Sequence, residues 1–295
     1  MRVGIIGLGN MGGRMAKRLL EQGVEVGIFD VNKEFMRIYA SFGAEETESP
    51  ADLAAKFQYV ITVLPNVYIV KEILVGEEGL MKGFSSNSLL IEMTTSIPSE
   101  TKEINKMMEH AGFRMIDAPV SGGVKKAEEG TLSIMVGGDA FNFEEVEPLL
   151  GKIGQNVIHV GDIGAGHTVK ALNNMISAAT LAVTGEAIAL GVKLGLDPTK
   201  MLSVINTSTG KSFSSDFKFP NQVLTRNFEV GFTLDLMVKD LKIAMSMAED
   251  EKVPMFISSA SYQLWKQAWS EGKGNEDHTT IVKHIEEMFD VEIKA

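Results

Sequence analysis

Short apolar runs rich in β-branched residues recur through the first half of the chain and then stop. Seven of them, at 2–6, 24–29, 58–63, 88–92, 113–116, 131–136 and 155–159, are four to six residues long, the size and composition of buried strands. Between most of them the apolar positions recur at helical spacing, which predicts helices over 11–22, 33–41, 66–74, 98–109 and 140–150. Such alternation predicts a mostly parallel sheet with helices on both faces. The later runs are closely spaced, so part of the sheet there can be antiparallel. From residue 163 onward only helical spacing remains. Leu172, Ile176, Ala179 and Val183 mark one helix over 167–194, about 40 Å long at 1.5 Å per residue. Asp197-Pro198 opens the next helix, and helical patterns run to about Met288, with breaks expected at Phe219-Pro220 and Val253-Pro254. The pattern predicts two domains, an α/β domain over 1–162 and an all-α domain over 163–295, joined by a long helix able to span both.

Composition adds limits to this picture. At 295 residues the chain exceeds the usual single domain. A net charge of −11 with no run of five basic residues argues against nucleic acid and anionic membranes as partners. Zero cysteines remove disulfides, thiolate metal sites and cysteine nucleophiles, in keeping with a cytoplasmic protein. The first strand begins at Arg2, so no leader segment is expected, and the apolar helix around 176–194 carries Glu186 and Lys193, which suits a core helix rather than a membrane span.

The first strand runs directly into Gly7-Leu8-Gly9-Asn10-Met11-Gly12. The first glycine of a Gly-x-Gly-x-x-Gly turn makes the sharp strand-to-helix bend, the second lets a pyrophosphate approach bare backbone, and the third permits close helix packing. The following helix would aim its open N–H groups at the phosphates. A second strand ends at Asp30, 18 residues past Gly12, where a carboxylate can accept both ribose hydroxyls and repel a 2′-phosphate. These features predict a Rossmann dinucleotide-binding domain and favour NAD over NADP, although Lys33 is a cation close enough in sequence to tolerate the extra phosphate.

Other candidates follow strand ends, where open α/β sheets bind ligands. Asp117-Ala118-Pro119-Val120-Ser121-Gly122-Gly123 offers a hydroxyl and two glycine N–H groups suited to a carboxylate, or a plain turn. Leu64-Pro65-Asn66 and Met93-Thr94-Thr95-Ser96 can line the cofactor or cap helices. Lys170 and Asn174 stand one turn apart on the long helix. A lysine there can donate to a carbonyl oxygen as hydride arrives, while a surface lysine beside a capping amide is the commoner arrangement for such spacing. The five histidines show no metal-ligand spacing and no evident carboxylate partner, so no metal site is expected.

Together these residues resemble the β-hydroxyacid dehydrogenase family, which includes 3-hydroxyisobutyrate dehydrogenase and tartronate semialdehyde reductase. The resemblance covers nearly the whole chain and rests on the Gly7–Gly12 turn, the Asp117–Gly123 segment, Gly166-His167-Thr168-Val169-Lys170-Ala171-Leu172-Asn173-Asn174, and Phe232-Thr233-Leu234-Asp235-Leu236-Met237-Val238-Lys239-Asp240. It implies an oxidoreductase that transfers hydride between NAD and a small 3-hydroxy acid or semialdehyde, with a related succinic semialdehyde, sulfolactaldehyde or imine reductase as the alternative within the same fold. On this resemblance Lys170 is the general acid–base and Asn174 positions it and the substrate. Ser121, Gly122 and Gly123 hold the substrate carboxylate, Thr95 contacts the nicotinamide side, and Lys239 closes over the cofactor. Gly7, Leu8, Gly9, Asn10, Met11, Gly12, Asp30, Leu64 and Pro65 complete the cofactor set. NADP-preferring relatives carry an Asn-Arg-Thr-like sequence where this chain has Asp30-Val31-Asn32, a departure that supports NAD. A 6-phosphogluconate dehydrogenase would need a longer helical domain, imine reductases tend to replace the lysine at 170, and a non-catalytic dinucleotide sensor would have no need of Lys170, Asn174 and Ser121 together. Specificity is expected near 121–124 and 208–217, where Lys211 hints at a second anionic group and can equally be a solvated loop lysine. Related enzymes oligomerise through the helical domain, which implies a homodimer or homotetramer.

Overall fold

The computed structural model describes residues 1–295, which divide into two compact units, Met1–Lys170 and Ala171–Ala295. The division falls inside the long helix rather than at its start.

The first unit opens with β1 (Arg2–Ile6), α1 (Gly12–Glu21), β2 (Glu25–Phe29), α2 (Lys33–Ala40), the two-residue β3 (Glu45–Glu46) and α3 (Pro50–Lys56). It continues through β4 (Tyr59–Thr62), α4 (Val67–Val75), α5 (Leu80–Gly83), β5 (Leu89–Glu92), α6 (Pro98–His110) and β6 (Arg114–Asp117). The last part comprises β7 (Val120–Ser121), α7 (Gly123–Glu129), β8 (Leu132–Gly137), α8 (Ala140–Leu150), β9 (Gly154–Gly161) and the start of α9 (Ala165–Lys193). The strands form one sheet in the order β3-β2-β1-β4-β5-β6-β8-β7, with β9 also on β8. Strands β3 to β6 are parallel neighbours, whereas β8 runs antiparallel to β6 and β7. The late, closely spaced runs are therefore where the sheet reverses.

Alternation along the strands separates two cores. Val3, Ile5, Ile28, Leu89 and Ile91 pack with Met15 and Leu19 of α1 on one face. On the other face Ile6, Val60 and Leu90 meet Leu53, Leu74, Ile104 and Met108. Each fully buried aliphatic side chain contributes about 1.5–3 kcal/mol, so both layers of helices are held by the sheet. The pieces absent from the sequence pattern are β3, β7, α3, α5 and α7, all of two to seven residues, too short for a periodicity to register. Only α3 carries a local signal: Ser49 accepts from Asp52 N at 3.1 Å, the Asp52 carboxylate accepts from Glu48 N at 3.1 Å, and Pro50 starts the helix.

The second unit is helical. After the remainder of α9 come α10 (Pro198–Asn206), a π-helix (Ser214–Val223), α11 (Leu234–Asp250), α12 (Phe256–Ser270), a 3₁₀ turn (His278–Thr280) and α13 (Ile281–Phe289). The expected break at Val253-Pro254 falls between α11 and α12. The one expected at Phe219-Pro220 does not occur, because the segment winds as a π-helix. In that winding the missing Pro220 N–H would have faced the Ser215 carbonyl, and that carbonyl instead accepts from Asn206 Nδ2 at 3.0 Å.

Candidate active site

Four adjacent parallel strands end side by side at Ile6, Phe29, Thr62 and Glu92. The residues that follow them are Gly7, Asp30, the 63–66 loop and the 93–97 loop, and the strand order turns outward in both directions from β1 and β4, where open sheets take dinucleotides. Backbone bonds tie these ends together: Gly7 N donates to Phe29 O, Val63 N to Ile6 O and Met93 N to Thr62 O.

The three glycines of the turn have different reasons to be glycine. Gly7 has φ of +94°, and a Cβ there would lie 2.2 Å from the Val63 carbonyl oxygen; at Gly12 it would lie 2.0 Å from the Gly7 oxygen. A Cβ at Gly9 would meet nothing within 4 Å. Nothing inside the protein demands glycine at position 9, and the missing side chain leaves its backbone open to a close approach. Helix α1 begins at Met11–Gly12 with no side-chain cap and no acidic residue in its first turn, whereas α2, α3, α4 and α8 are each capped by a side chain. Gly13 N donates to Gly9 O at 3.2 Å, and no side chain occupies the rest of this helix N-terminus, which suits a phosphate. The Asp30 carboxylate accepts from Leu8 N and from Asn32 N, both at 2.7 Å. These two bonds fix it against the glycine turn and leave lone pairs for a ribose diol. Asn10 is exposed and Met11 half-buried at the mouth of the turn. Lys33 lies over the Phe29 ring at 5.5 Å. The residues present fit a dinucleotide.

The neighbouring loops are held by a buried polar network that the sequence did not disclose. Thr94 Oγ1 accepts from Leu64 N at 2.9 Å, and Glu92 Oε1 accepts from Thr94 N at 2.7 Å. The His167 ring, itself buried, donates from Nε2 to the Thr94 carbonyl at 2.7 Å and meets Thr101 Oγ1 through Nδ1 at 2.8 Å. It lies 3.5 Å from Glu92 on one side and 3.5 Å from Asp117 on the other. Asp117 accepts from Gly164 N at 2.6 Å and His167 N at 2.8 Å, so a strand-end carboxylate caps the N-terminus of α9. Burial pushes the Glu92 carboxyl up to about 8 against the Thr94 and Thr62 donors. It pushes Asp117 up to about 6 against the same backbone bonds. Three residues past His167, Lys170 is buried on the first turns of α9. Thr95 is half-buried, Pro65 exposed and Leu64 half-buried, while Asn66 caps α4. Ser96 does not cap α6; its hydroxyl is buried with no hydrogen-bond partner.

Ser121 ends β7, paired with Ser133 of β8. Gly122 and Gly123 follow with φ of +135° and +71°, and no side chain caps the short helix they open. These backbone N–H groups are available to an anion.

In the second unit, Asn174 is buried and its Nδ2 donates to Asp240 Oδ2 at 2.6 Å. Its Oδ1 accepts from Asn173 at 3.2 Å. Lys239 Nζ lies 3.4 Å from Asp240 Oδ1. Asp240 thus fixes which way the Asn174 amide points. Lys218 of the π-helix is also buried and donates to Ser177 Oγ at 3.0 Å; burial pulls its ammonium down to about 8, opposed by the charge of Asp277.

Several of these residues correct the sequence reading. His167 has two carboxylates beside it, and His284 and His278 lie 2.9 Å from Glu271 and 3.3 Å from Asp277. The partners of His167 and His284 come from other segments and left no local signal, whereas Asp277 stands directly before His278 in the sequence. Glu92 and Asp117 did leave a signal, each an acid closing an apolar strand run. Glu271, His284 and Glu287 gather in a way that could suit a cation, but the Lys273 ammonium, 2.9 Å from Glu271 and 3.6 Å from Glu287, already supplies the positive charge.

Comparison with known proteins finds relatives over the whole chain. Residues 2–161 match the NAD binding domain of 6-phosphogluconate dehydrogenase. Residues 164–285 match the family described as NAD-binding of NADP-dependent 3-hydroxyisobutyrate dehydrogenase. The chain is 36% identical to 2-(hydroxymethyl)glutarate dehydrogenase of Eubacterium barkeri over 100% of its length and 98% of that protein. It is 37% identical to the mitochondrial 3-hydroxyisobutyrate dehydrogenase of Rattus norvegicus over 97% of this chain and 87% of that one. Among solved structures, Mycobacterium tuberculosis 3-hydroxyisobutyrate dehydrogenase with L-serine superposes with a TM-score of 0.89 at 28% identity, covering 96% of this chain and 98% of the other. By sequence along its full length and by fold, the chain belongs to the β-hydroxyacid dehydrogenase family of NAD(P)-dependent oxidoreductases.

Proposed function

We propose that the protein interconverts a small 3-hydroxy acid and its semialdehyde, with Lys170 exchanging the proton. The observation that carries this reading is a buried lysine on the first turns of a helix whose N-terminus is held by the Asp117 carboxylate. When bound, NAD⁺ would accept the hydride in oxidation and NADH would supply it in reduction. The Gly7–Gly12 turn and the open end of α1 hold the pyrophosphate, Asp30 the adenosine ribose, and Leu64, Pro65 and Thr95 the side toward the nicotinamide. Ser121 and the N–H groups of Gly122 and Gly123 bind the substrate carboxylate. Lys170 Nζ donates a proton to the carbonyl oxygen in reduction and takes it from the hydroxyl in oxidation. The Asn174 amide, held through Nδ2 by Asp240, presents Oδ1 as an acceptor that orients the hydroxyl or the lysine. Lys239 supplies a cation on the cofactor side. The Asp30 carboxylate favours NAD over NADP by about tenfold, or 1.4 kcal/mol.

The same reading includes a homodimer or homotetramer in the cytoplasm. Leu172, Ile176, Val183 and Leu190 form an apolar stripe along α9 and are 39–61% exposed. Helix α9 is long and apolar enough to cross a membrane, yet half of its most apolar stretch is buried within the protein. A second copy covering the stripe accounts for its composition.

The test is turnover by purified protein with NAD or NADP against 3-hydroxyisobutyrate, 3-hydroxypropionate, serine, threonate, glycerate and 2-(hydroxymethyl)glutarate. Oxidation of at least one, faster with NAD, is expected. Tight NAD binding with no turnover of any would replace the enzyme with a dinucleotide sensor.

A further inference from the structure

Lys218 is a buried cation whose hydrogen-bonding capacity is mostly unused. An ammonium carries three donors, and a buried charge is costly unless it is paired. Yet Lys218, 8% exposed, has one hydrogen bond, to the neutral hydroxyl of Ser177. The charge that favours its ionisation, Asp277, is committed elsewhere. Its Oδ1 accepts from Thr279 N at 2.9 Å and Thr279 Oγ1 at 2.6 Å, and its Oδ2 from Gly231 N at 2.9 Å and Phe232 N at 3.2 Å. No carboxylate is in ion-pair contact with Lys218. Ser177 lies three residues beyond Asn174 on α9, so the two side chains share a helix face, about 4.5 Å apart along the axis. Lys211, the cation singled out by the sequence, is exposed and paired with Asp216 at 3.1 Å, so it is already neutralised.

We propose that Lys218, together with Ser177, receives a second carboxylate at the far end of the substrate, so that the preferred substrates are dicarboxylic hydroxy acids. This rests on the reaction proposed above. One cation and one hydroxyl suit the two oxygens of a monoanionic carboxylate; a phosphate dianion would leave charge and oxygens unmatched. Asn174, one turn nearer Lys170, would then face the reacting end of the chain and Ser177 its tail.

The experiment compares two substrates with NAD, 3-hydroxyisobutyrate and 2-(hydroxymethyl)glutarate, and two ligands that cannot react, butyrate and glutarate. Wild-type kcat/KM should favour the dicarboxylate by at least about tenfold, the factor expected of a charge-assisted hydrogen bond. In Lys218→Met this preference should fall by about tenfold or more, chiefly through KM. Equal losses on both substrates, or a wild-type preference for 3-hydroxyisobutyrate, would overturn the proposal. Ser177→Ala, which leaves the lysine in place, should lower the preference in the same direction by a smaller factor. Calorimetric titration of the NADH-loaded wild-type protein needs no turnover and should show glutarate binding more tightly than butyrate. If glutarate binds more tightly and no hydroxy acid is oxidised, the reaction assignment fails and the carboxylate site stands. If hydroxy acids are oxidised and glutarate binds no better than butyrate, the carboxylate site falls and the reaction stands.

Discussion

Alanine at Gly9 and, separately, at Gly7 should divide cofactor contact from folding. At Gly7 the new Cβ would lie 2.2 Å from the Val63 carbonyl, on a backbone with φ of +94°. Left-handed backbone costs a non-glycine residue about 1–2 kcal/mol, and overpacking adds about 1–3 kcal/mol. The sum, about 2–5 kcal/mol, corresponds to a Tm lower by roughly 4–20 °C in a domain of this size. At Gly9 the Cβ meets no protein atom within 4 Å, so stability should stay within about 0.5 kcal/mol of wild type. The same methyl would stand where a pyrophosphate approaches the turn. A forced shift of about 1–3 kcal/mol weakens NADH binding by roughly 5- to 150-fold. Calorimetric melting without cofactor reads the first quantity, and fluorescence titration with NADH reads the second. A Gly9→Ala protein that melts as low as Gly7→Ala, or one that binds NADH as wild type does, would refute the division of roles.

Three further outcomes follow from the geometry. Asp30→Ala should erode the roughly tenfold NAD preference toward equality in kcat/KM; undiminished discrimination would place its origin elsewhere. Ile176→Glu puts a charge in the exposed stripe of α9 and should convert the proposed oligomer to monomers in light scattering; a mass equal to that of wild type would remove the stripe from any interface. Glu92 is held above the ordinary carboxylate range, to about 8, by burial. Its contribution to folding is complete below the unfolded value near 4.5 and is lost as pH rises through 8, so Glu92→Gln should raise Tm more at pH 9 than at pH 5, and an equal shift at both would contradict this.

The main strands, the glycine turn and the long helix were legible because each depends on local pattern: apolar runs, glycine spacing and helical periodicity; the order of the strands in the sheet depends on long-range pairing and was not. Asp30 was legible for the same reason, standing at a strand end at a fixed distance from Gly12. The network around His167 was not. Its partners Glu92, Thr94, Thr101 and Asp117 converge from separate segments, and nothing local to His167 signals them. The passage of the helix through Pro220 was also hidden, because it depends on Asn206 taking up the Ser215 carbonyl. Lys218 escaped notice while Lys211 drew it. A lysine one residue outside the expected specificity segment is distinguished only by burial, which the spacing of a π-helix does not advertise.

The central claim is that Lys170 moves the proton, and steady-state and single-turnover kinetics of Lys170→Met test it most directly. Methionine keeps nearly the length of the side chain and removes the exchangeable proton. With NADH affinity and melting close to wild type, kcat should fall by about 10²–10⁴. A folded Lys170→Met protein that binds NADH and retains near-wild-type kcat would contradict the account.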